Sequence, residues 1–138
     1  MKPRHKKTER QKLVVKLDNV VKEIVRVRDE WTCQKCGKKF DPRDRSSLCS
    51  AHTAHIIGKG SGGYRLRWDL INVVLLCHHC HINVFHQSGK GIEEWLKKNF
   101  PARGQYLELL KAKPPLKFTD SELAEMLKMF QEKLRELQ

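Results

Sequence analysis

The chain has 138 residues, of which 28 are Lys or Arg and 16 are Asp or Glu, so its formal net charge is +12. This length fits one domain with a modest apolar core, and a second full domain is not expected. The excess of positive charge favours a polyanionic partner, for which nucleic acid is the leading interpretation; a solvated basic surface or a membrane-surface patch is the alternative. No stretch reaches the roughly 20 apolar residues that span a bilayer, and the N-terminus lacks an apolar signal core, so no membrane partner is expected.

The N-terminal third predicts an arm followed by a helix. Residues 1–12 are basic and nearly devoid of large apolar side chains, which predicts a flexible arm. From Leu13, apolar residues recur with helical spacing and predict an N-terminal helix of about four turns. These residues are Leu13, Leu17, Val20, Val21, Ile24 and Val25.

The middle of the chain predicts two short strands among polar turns. The segment from Cys33 to Ser50 is polar and turn-rich, as expected of a knuckle that wraps around an ion. His52–Ile57 predicts a short strand, and a glycine-rich loop, residues 58–63, follows it. Asn72–Leu76 is a β-branched and apolar run that predicts a second strand. The chain is expected to turn helical after the second strand.

The last third is predicted to be helical. Ile92, Trp95 and Leu96 have helical spacing, and a further helical piece surrounds Leu107. Thr119 is followed three residues later by Glu122, a capping-box pattern that opens a final helix. We therefore expect a single domain over 13–138, with a core at about 31–100 and a C-terminal helical extension at about 101–138. The apolar stripe of the last helix leaves a homodimer open.

Four of the five cysteines form two Cys-x-x-Cys pairs, Cys33/Cys36 and Cys77/Cys80. Two such pairs supply the four thiolates of a closed structural zinc site, and they suit a reducing compartment better than a disulfide framework does. The alternative is that some of them are merely buried small hydrophobic residues. Cys49 is left over, and we interpret it as a structural thiol rather than a ligand.

Between and after the pairs stand the motifs AHIIGK (54–59), RWDLIN (67–72) and LCHHCH (76–81). The order His55, Asn72 and Cys80-His81 resembles the HNH endonuclease family, in particular its phage and bacterial branch with a four-cysteine zinc knuckle. The resemblance covers about residues 24–100 and is specific over 54–81. It implies an α+β, mostly helical fold: a ββα-metal core, made of a short two-stranded hairpin and a helix, between flanking N- and C-terminal helices.

The same resemblance implies a role for each motif residue. His55 resembles the general base that activates water, Asn72 the residue that orients this imidazole, and His81 the ligand of a catalytic Mg²⁺, Mn²⁺ or other divalent cation. Phosphodiester hydrolysis independently needs a base that titrates near neutrality and a cation beside the phosphate. Many relatives have a metal ligand just before the base, where this chain has Ala54. His52 is the nearest substitute, either as a metal ligand or as a neighbour of the site.

Three basic residues near the glycine-rich loop, Lys59, Arg65 and Arg67, are expected to contact DNA phosphates. Arg67 either clamps a phosphate near the scissile bond or forms a surface pair with Asp69. Trp68 is expected in the core rather than as a base-stacking platform.

Together these features predict a metal-dependent DNA endonuclease in the cytoplasm of a bacterium or a phage-infected cell. A non-enzymatic zinc-knuckle DNA-binding or adaptor module is the main alternative. A nuclease selective for branched DNA is another.

Overall fold

A computed structural model describes residues 2–58, 64–85, 91–114 and 116–138, with only the backbone at positions 64 and 65. The described chain is mostly helical and has a two-stranded antiparallel hairpin, as predicted. Its α-helices are α1 Glu9–Arg28, α2 Arg45–Ser50, α3 Tyr64–Arg67, α4 Gly91–Asn99, α5 Pro101–Lys111 and α6 Asp120–Leu137. A 3₁₀ turn, Leu70–Asn72, precedes the second strand, and a π-helical segment, His79–Phe85, follows it.

Helix α1 begins at Glu9, four residues before the start that its apolar stripe predicts. The reason is a reciprocal cap: Thr8 Oγ1 accepts from the Gln11 main-chain N–H, and the Gln11 side chain accepts from the Thr8 N–H. Residues 9–12, expected in the basic arm, therefore belong to the helix. The pattern Thr8-x-x-Gln11 was the available signal for this start.

The hairpin pairs β1, Ala51–His55, with β2, Val73–Cys77. His52 lies opposite Leu76, and His55 lies opposite Val73. Each strand is shifted by one or two residues from its predicted range. Asn72 lies in the 3₁₀ turn rather than in β2, and its carbonyl oxygen accepts at 2.8 Å from the N–H of Ile56, the residue after β1. Every residue of β2 is buried, so the second strand runs through the core.

The buried side chains form one cluster that joins the hairpin to helices from both ends of the chain. Helix α6 packs along α1, and Leu123 is fully buried there. The predicted capping box at Thr119 and Glu122 is confirmed, and Arg10 of α1 forms an ion pair with Asp120 at 2.8 Å. None of the described helices is both long and apolar enough to cross a membrane.

Two guanidinium groups hold the turn that leads into β2. Arg28, at the end of α1, donates to the carbonyl oxygens of Leu70 and Val73. Arg103, in α5, donates to the carbonyl oxygen of Ile71 at 2.8 Å. Burial and the neighbouring Arg28 charge lower the pKa of Arg103. Helix α5, near the C-terminus, and helix α1, near the N-terminus, therefore both donate hydrogen bonds to the backbone of this turn.

Candidate functional site

The four paired cysteines come together in one cluster. The Sγ atoms of Cys33, Cys36, Cys77 and Cys80 all lie within 4.8 Å of one another, and the Cys36 and Cys77 sulfurs are 3.7 Å apart. Four sulfurs at about 2.3 Å from a tetrahedral zinc ion are separated by about 3.8 Å, so this set fits zinc. The metal-binding part of the prediction is thereby supported by geometry as well as by spacing.

The first pair is held by a tight turn. The Gly37 N–H donates to the Cys33 carbonyl at 2.9 Å, and the Cys33 N–H donates to the Lys38 carbonyl at 2.8 Å. Gly37 has φ of +80°, a conformation that costs glycine little and other residues more. The turn therefore aims both sulfurs of the pair at the end of β2.

The cysteines differ in how readily they give up a proton. Burial tends to raise the pKa of Cys33, but hydrogen bonds from the main chain at Cys36, Cys77 and Lys35 outweigh it and lower the pKa to about 7. Burial and the neighbouring Cys77 and Cys36 side chains raise the pKa of Cys80. Cys33 is thus the readiest thiolate for an arriving cation, and Cys80 must lose a proton to bind it.

His55 and His81 line the same cavity, which has a volume of about 430 Å³. Asp18 and Lys22 of α1 and Arg67 of α3 form part of its wall. The strand, the segment after the second cysteine pair and the N-terminal helix therefore meet at one opening.

His55 is oriented by a main-chain acceptor. Its Nε2 lies 2.8 Å from the carbonyl oxygen of Arg67. A carbonyl oxygen can only accept, so Nε2 carries the ring proton and Nδ1 carries the lone pair in the neutral imidazole. This is the tautomer in which Nδ1 has the basic electron pair.

Asn72 is fully buried, and its amide bonds to backbone. Oδ1 accepts from the Ile57 N–H at 2.8 Å, and Nδ2 donates to the carbonyl oxygens of Ile57 and Leu66 at 3.0 and 2.9 Å. These bonds join the chain on the two sides of the glycine-rich loop, at Ile57 and at Leu66. Asn72 thereby holds the Leu66 carbonyl group, next to Arg67, whose own carbonyl oxygen faces His55.

His52 approaches His81 from the other face of β1. Side chains alternate along a strand, so His52 and His55 lie on opposite faces. The Nδ1 atoms of His52 and His81 are nevertheless 3.0 Å apart, with the two rings almost perpendicular at 87°. Burial and the nearby His78 lower the pKa of His52, against an opposing effect of the Cys49 main chain.

The Arg67 guanidinium is paired with Asp18, an arrangement that neither interpretation of the sequence included. Nε and Nη2 donate to the two Asp18 carboxylate oxygens at 2.9 and 2.7 Å. Asp69 instead accepts from the Ile71 N–H and from the Tyr106 hydroxyl. Trp68 is 2% exposed, which confirms its place in the core, and its indole N–H donates to Asp18 at 2.8 Å.

Asp18 and Lys22 are the cavity residues that sequence reasoning missed. They lie one helical turn apart on α1, within an ordinary amphipathic pattern, and no spacing links them to motifs about fifty residues later. Lys22 is exposed, and its ammonium has no carboxylate within 4 Å among the described residues. It adds a positive charge to the wall of the cavity.

The remaining predicted residues stand as follows. Lys59 lies outside the described residues, and so does the side chain of Arg65. His78 and His79, inside the second cysteine pair, are exposed. Cys49 is exposed on α2 and is not a member of the cysteine cluster.

Comparison with known proteins gives no assignment. No family model, no curated protein and no solved structure significantly matches this chain.

Proposed function

We propose that this chain is a metal-dependent DNA endonuclease of the HNH type, which hydrolyses phosphodiester bonds with water activated by His55. The observation that carries the proposal is that His55 and His81 open onto one cavity. The motif residues are far apart in sequence and could have pointed away from each other.

The order of elements around the cavity supports this proposal. An antiparallel hairpin is followed directly by the helical segment His79–Phe85, as in the ββα arrangement that the motifs resemble. His55 ends the first strand, and His81 comes one residue after the last cysteine. The cysteine cluster fastens the end of β2, from which His81 follows.

His55 is proposed as the general base. Its Nε2–H is held by the Arg67 carbonyl, which leaves the basic electron pair on Nδ1. Imidazole can take up and release a proton near neutral pH, which suits a general base. Asn72 is proposed to fix the backbone on which this orientation depends.

His81 and His52 would hold the catalytic divalent cation. Two nitrogens each about 2.1 Å from one ion and at right angles are about 3.0 Å apart, which their Nδ1 separation fits. When bound, such an ion supplies positive charge to the phosphate and to the departing 3′-oxygen. Among the described residues, only the four cysteines form a group of three or more potential metal ligands. Water and phosphate oxygens would therefore complete the coordination of the cation at His52 and His81.

DNA is proposed as the substrate because the chain carries a net charge of +12 and its cavity wall includes Lys22 and Arg67. The net charge makes phosphate contacts, which carry no sequence information, the main part of the proposed interaction.

A plasmid-nicking assay tests the proposal. Zinc-loaded protein is mixed with supercoiled plasmid and Mg²⁺ or Mn²⁺, and conversion to open-circular DNA is followed. His55→Ala and His81→Ala should each lower the rate by about 100-fold or more. His79→Ala is the matched control, since His79 is exposed two residues before His81.

Absence of nicking by the wild-type chain, or its survival in both the His55 and the His81 variants, contradicts the nuclease assignment. Tight DNA binding without cleavage would point instead to a zinc-knuckle binding module.

A further inference from the structure

We propose that Asp18 of α1 is a positioning residue: it fixes the Arg67–Trp68 segment so that the Arg67 carbonyl oxygen faces His55. The inference rests on the proposed function for its catalytic consequence. The structural part of the inference depends only on the hydrogen bonds that join Asp18, Arg67, Trp68 and His55.

The Asp18 carboxylate binds both residues of the segment. It accepts from Arg67 at 2.9 and 2.7 Å and from the Trp68 indole N–H at 2.8 Å. The Arg67 and Asp18 side chains are only 26% and 23% exposed, so solvent screens this pair less than it would a surface pair. A two-pronged guanidinium–carboxylate contact also fixes direction, which a single contact does not.

The Trp68 indole N–H needs the Asp18 carboxylate as its hydrogen-bond acceptor. The ring is almost wholly buried, so its N–H needs an acceptor inside the protein. Asp18 supplies that acceptor from a helix about fifty residues earlier in the chain. Removing the carboxylate would leave the indole N–H and the Arg67 guanidinium to find other partners.

The segment held in this way carries the acceptor for His55. The Arg67 carbonyl lies between two anchored side chains, those of Arg67 and Trp68. On its other side, Asn72 binds the Leu66 carbonyl at 2.9 Å. Asp18 and Asn72 therefore fix three consecutive residues from two directions, and the Arg67 oxygen is left 2.8 Å from His55 Nε2.

A small displacement of the Arg67 carbonyl oxygen is expected to lower the reaction rate. A functional imidazole must be held within about 0.5 Å and 10–20° of its working geometry, and a misplacement of about 1 Å can cost about 100-fold in rate. If the Arg67 carbonyl moves, Nε2–H loses its fixed partner, and the ring can populate the other tautomer.

The ring tautomer can be measured without any enzymatic activity. Two-dimensional ¹⁵N–¹H spectra of the zinc-loaded full chain, without a second divalent cation, report which nitrogen of His55 carries the proton. The wild type should show the Nε2–H form, whereas Asp18→Ala should show a mixture. Asp18→Asn keeps an acceptor for Trp68 but loses the charge that binds Arg67, and an intermediate result is expected.

Asp120→Asn is the matched control. It also removes a carboxylate charge that binds an arginine of α1 at 2.8 Å, but it lies at the start of α6. Its spectrum should equal that of the wild type. Thermal unfolding and zinc content of each variant show whether the protein is folded, and Asp18→Asn decides the question if Asp18→Ala does not fold.

The second readout separates rate from affinity. In single-turnover plasmid nicking at saturating DNA, Asp18→Asn should lower the rate by about 10- to 100-fold, while the Kd for DNA does not rise, because the substitution removes a negative charge from the cavity wall. If the wild type does not nick, the proposed function fails and the tautomer still tests the role of Asp18. If the wild type nicks but folded Asp18→Asn retains both its rate and the Nε2–H form, the positioning role is overturned.

Discussion

The Nδ1 atoms of His52 and His81 lie 3.0 Å apart, although 29 residues separate them in the chain. Two nitrogen lone pairs at this distance repel unless one nitrogen carries a proton or both face a cation. In the neutral rings the contact is a hydrogen bond, and the proposed catalytic cation would have to displace the shared proton.

Substitution of His52 distinguishes these states. His52→Ala should raise the Mn²⁺ concentration for half-maximal nicking by about 10-fold or more, because His81 loses its partner nitrogen. His78→Ala is the control, since the His78 ring centroid is 5.1 Å from that of His52 but its side chain is exposed. Equal effects of the two substitutions would show that His52 has no special part in metal binding.

Loss of one cysteine of the cluster should unfold the protein. Structural zinc binding contributes roughly 10 kcal/mol or more in small metal domains, comparable to the whole stability of a domain. Cys80→Ser should therefore lose bound zinc, measured by elemental analysis, together with the cooperative thermal transition. Cys49→Ser, at an exposed thiol outside the cluster, should retain both; retention of zinc by Cys80→Ser would remove Cys80 from the ligand set.

Zinc binding should release protons, and its affinity should fall with falling pH. Burial raises the pKa of Cys80, which therefore holds its proton at pH 7, whereas main-chain hydrogen bonds lower the pKa of Cys33 to about 7. Both thiols must ionise to bind zinc, so protons compete increasingly as the pH drops below 7. Calorimetry in buffers of different ionisation enthalpy measures the protons released; zero release at pH 7 would contradict this expectation.

Asn72 should be important for stability as well as for the site. Asn72→Ala leaves one N–H and two carbonyl groups of the buried backbone without the partners they now have. We expect the free energy of unfolding to fall by about 2–5 kcal/mol in urea titrations of zinc-loaded protein. Asn72→Asp should cost at least as much at pH 7, because its buried charge would face two carbonyl oxygens.

Asn83→Ala provides the comparison for Asn72. Asn83 is exposed and bonds to the exposed His79, so its substitution should change stability by less than about 0.5 kcal/mol. Comparable losses at both positions would mean that the buried contacts of Asn72 add nothing.

Lys22 is expected to bind a DNA phosphate. Lys22→Ala should weaken DNA binding and reduce the slope of log K against log salt by about 0.9, the effect of one phosphate contact on duplex DNA. Lys16→Ala changes the same residue type on the same helix, at an exposed position that does not line the cavity. An unchanged slope for Lys22→Ala, measured by fluorescence anisotropy over a salt series, would exclude the contact.

Features that depend on a few neighbouring residues were predicted from the sequence. They are the two cysteine pairs, the hairpin and the cap at Thr119, and the described structure has all three. The start of α1 at Glu9 was missed because the apolar stripe begins later than the cap does. Helix α2 was missed because its six residues, none of them buried, have no apolar period.

Contacts between distant segments were not predictable from the sequence. Asp18 is one acidic residue on an amphipathic helix, and only the packing of α1 against the hairpin brings it to Arg67. The same packing pairs the Arg67 guanidinium with Asp18 rather than with Asp69. Asn72 was singled out by its motif, but its hydrogen-bond partners follow from the path of the loop backbone.

The convergence of Arg28 and Arg103 on the turn before β2 affects how this protein can be shortened. A fragment trimmed to the motif-bearing region, ending near residue 100, would keep every cysteine and histidine of the two proposed metal sites. It would also discard the guanidinium that holds the Ile71 carbonyl and expose the side of α1 that α6 covers. Boundaries drawn around the motifs alone would therefore cut through the hydrophobic core.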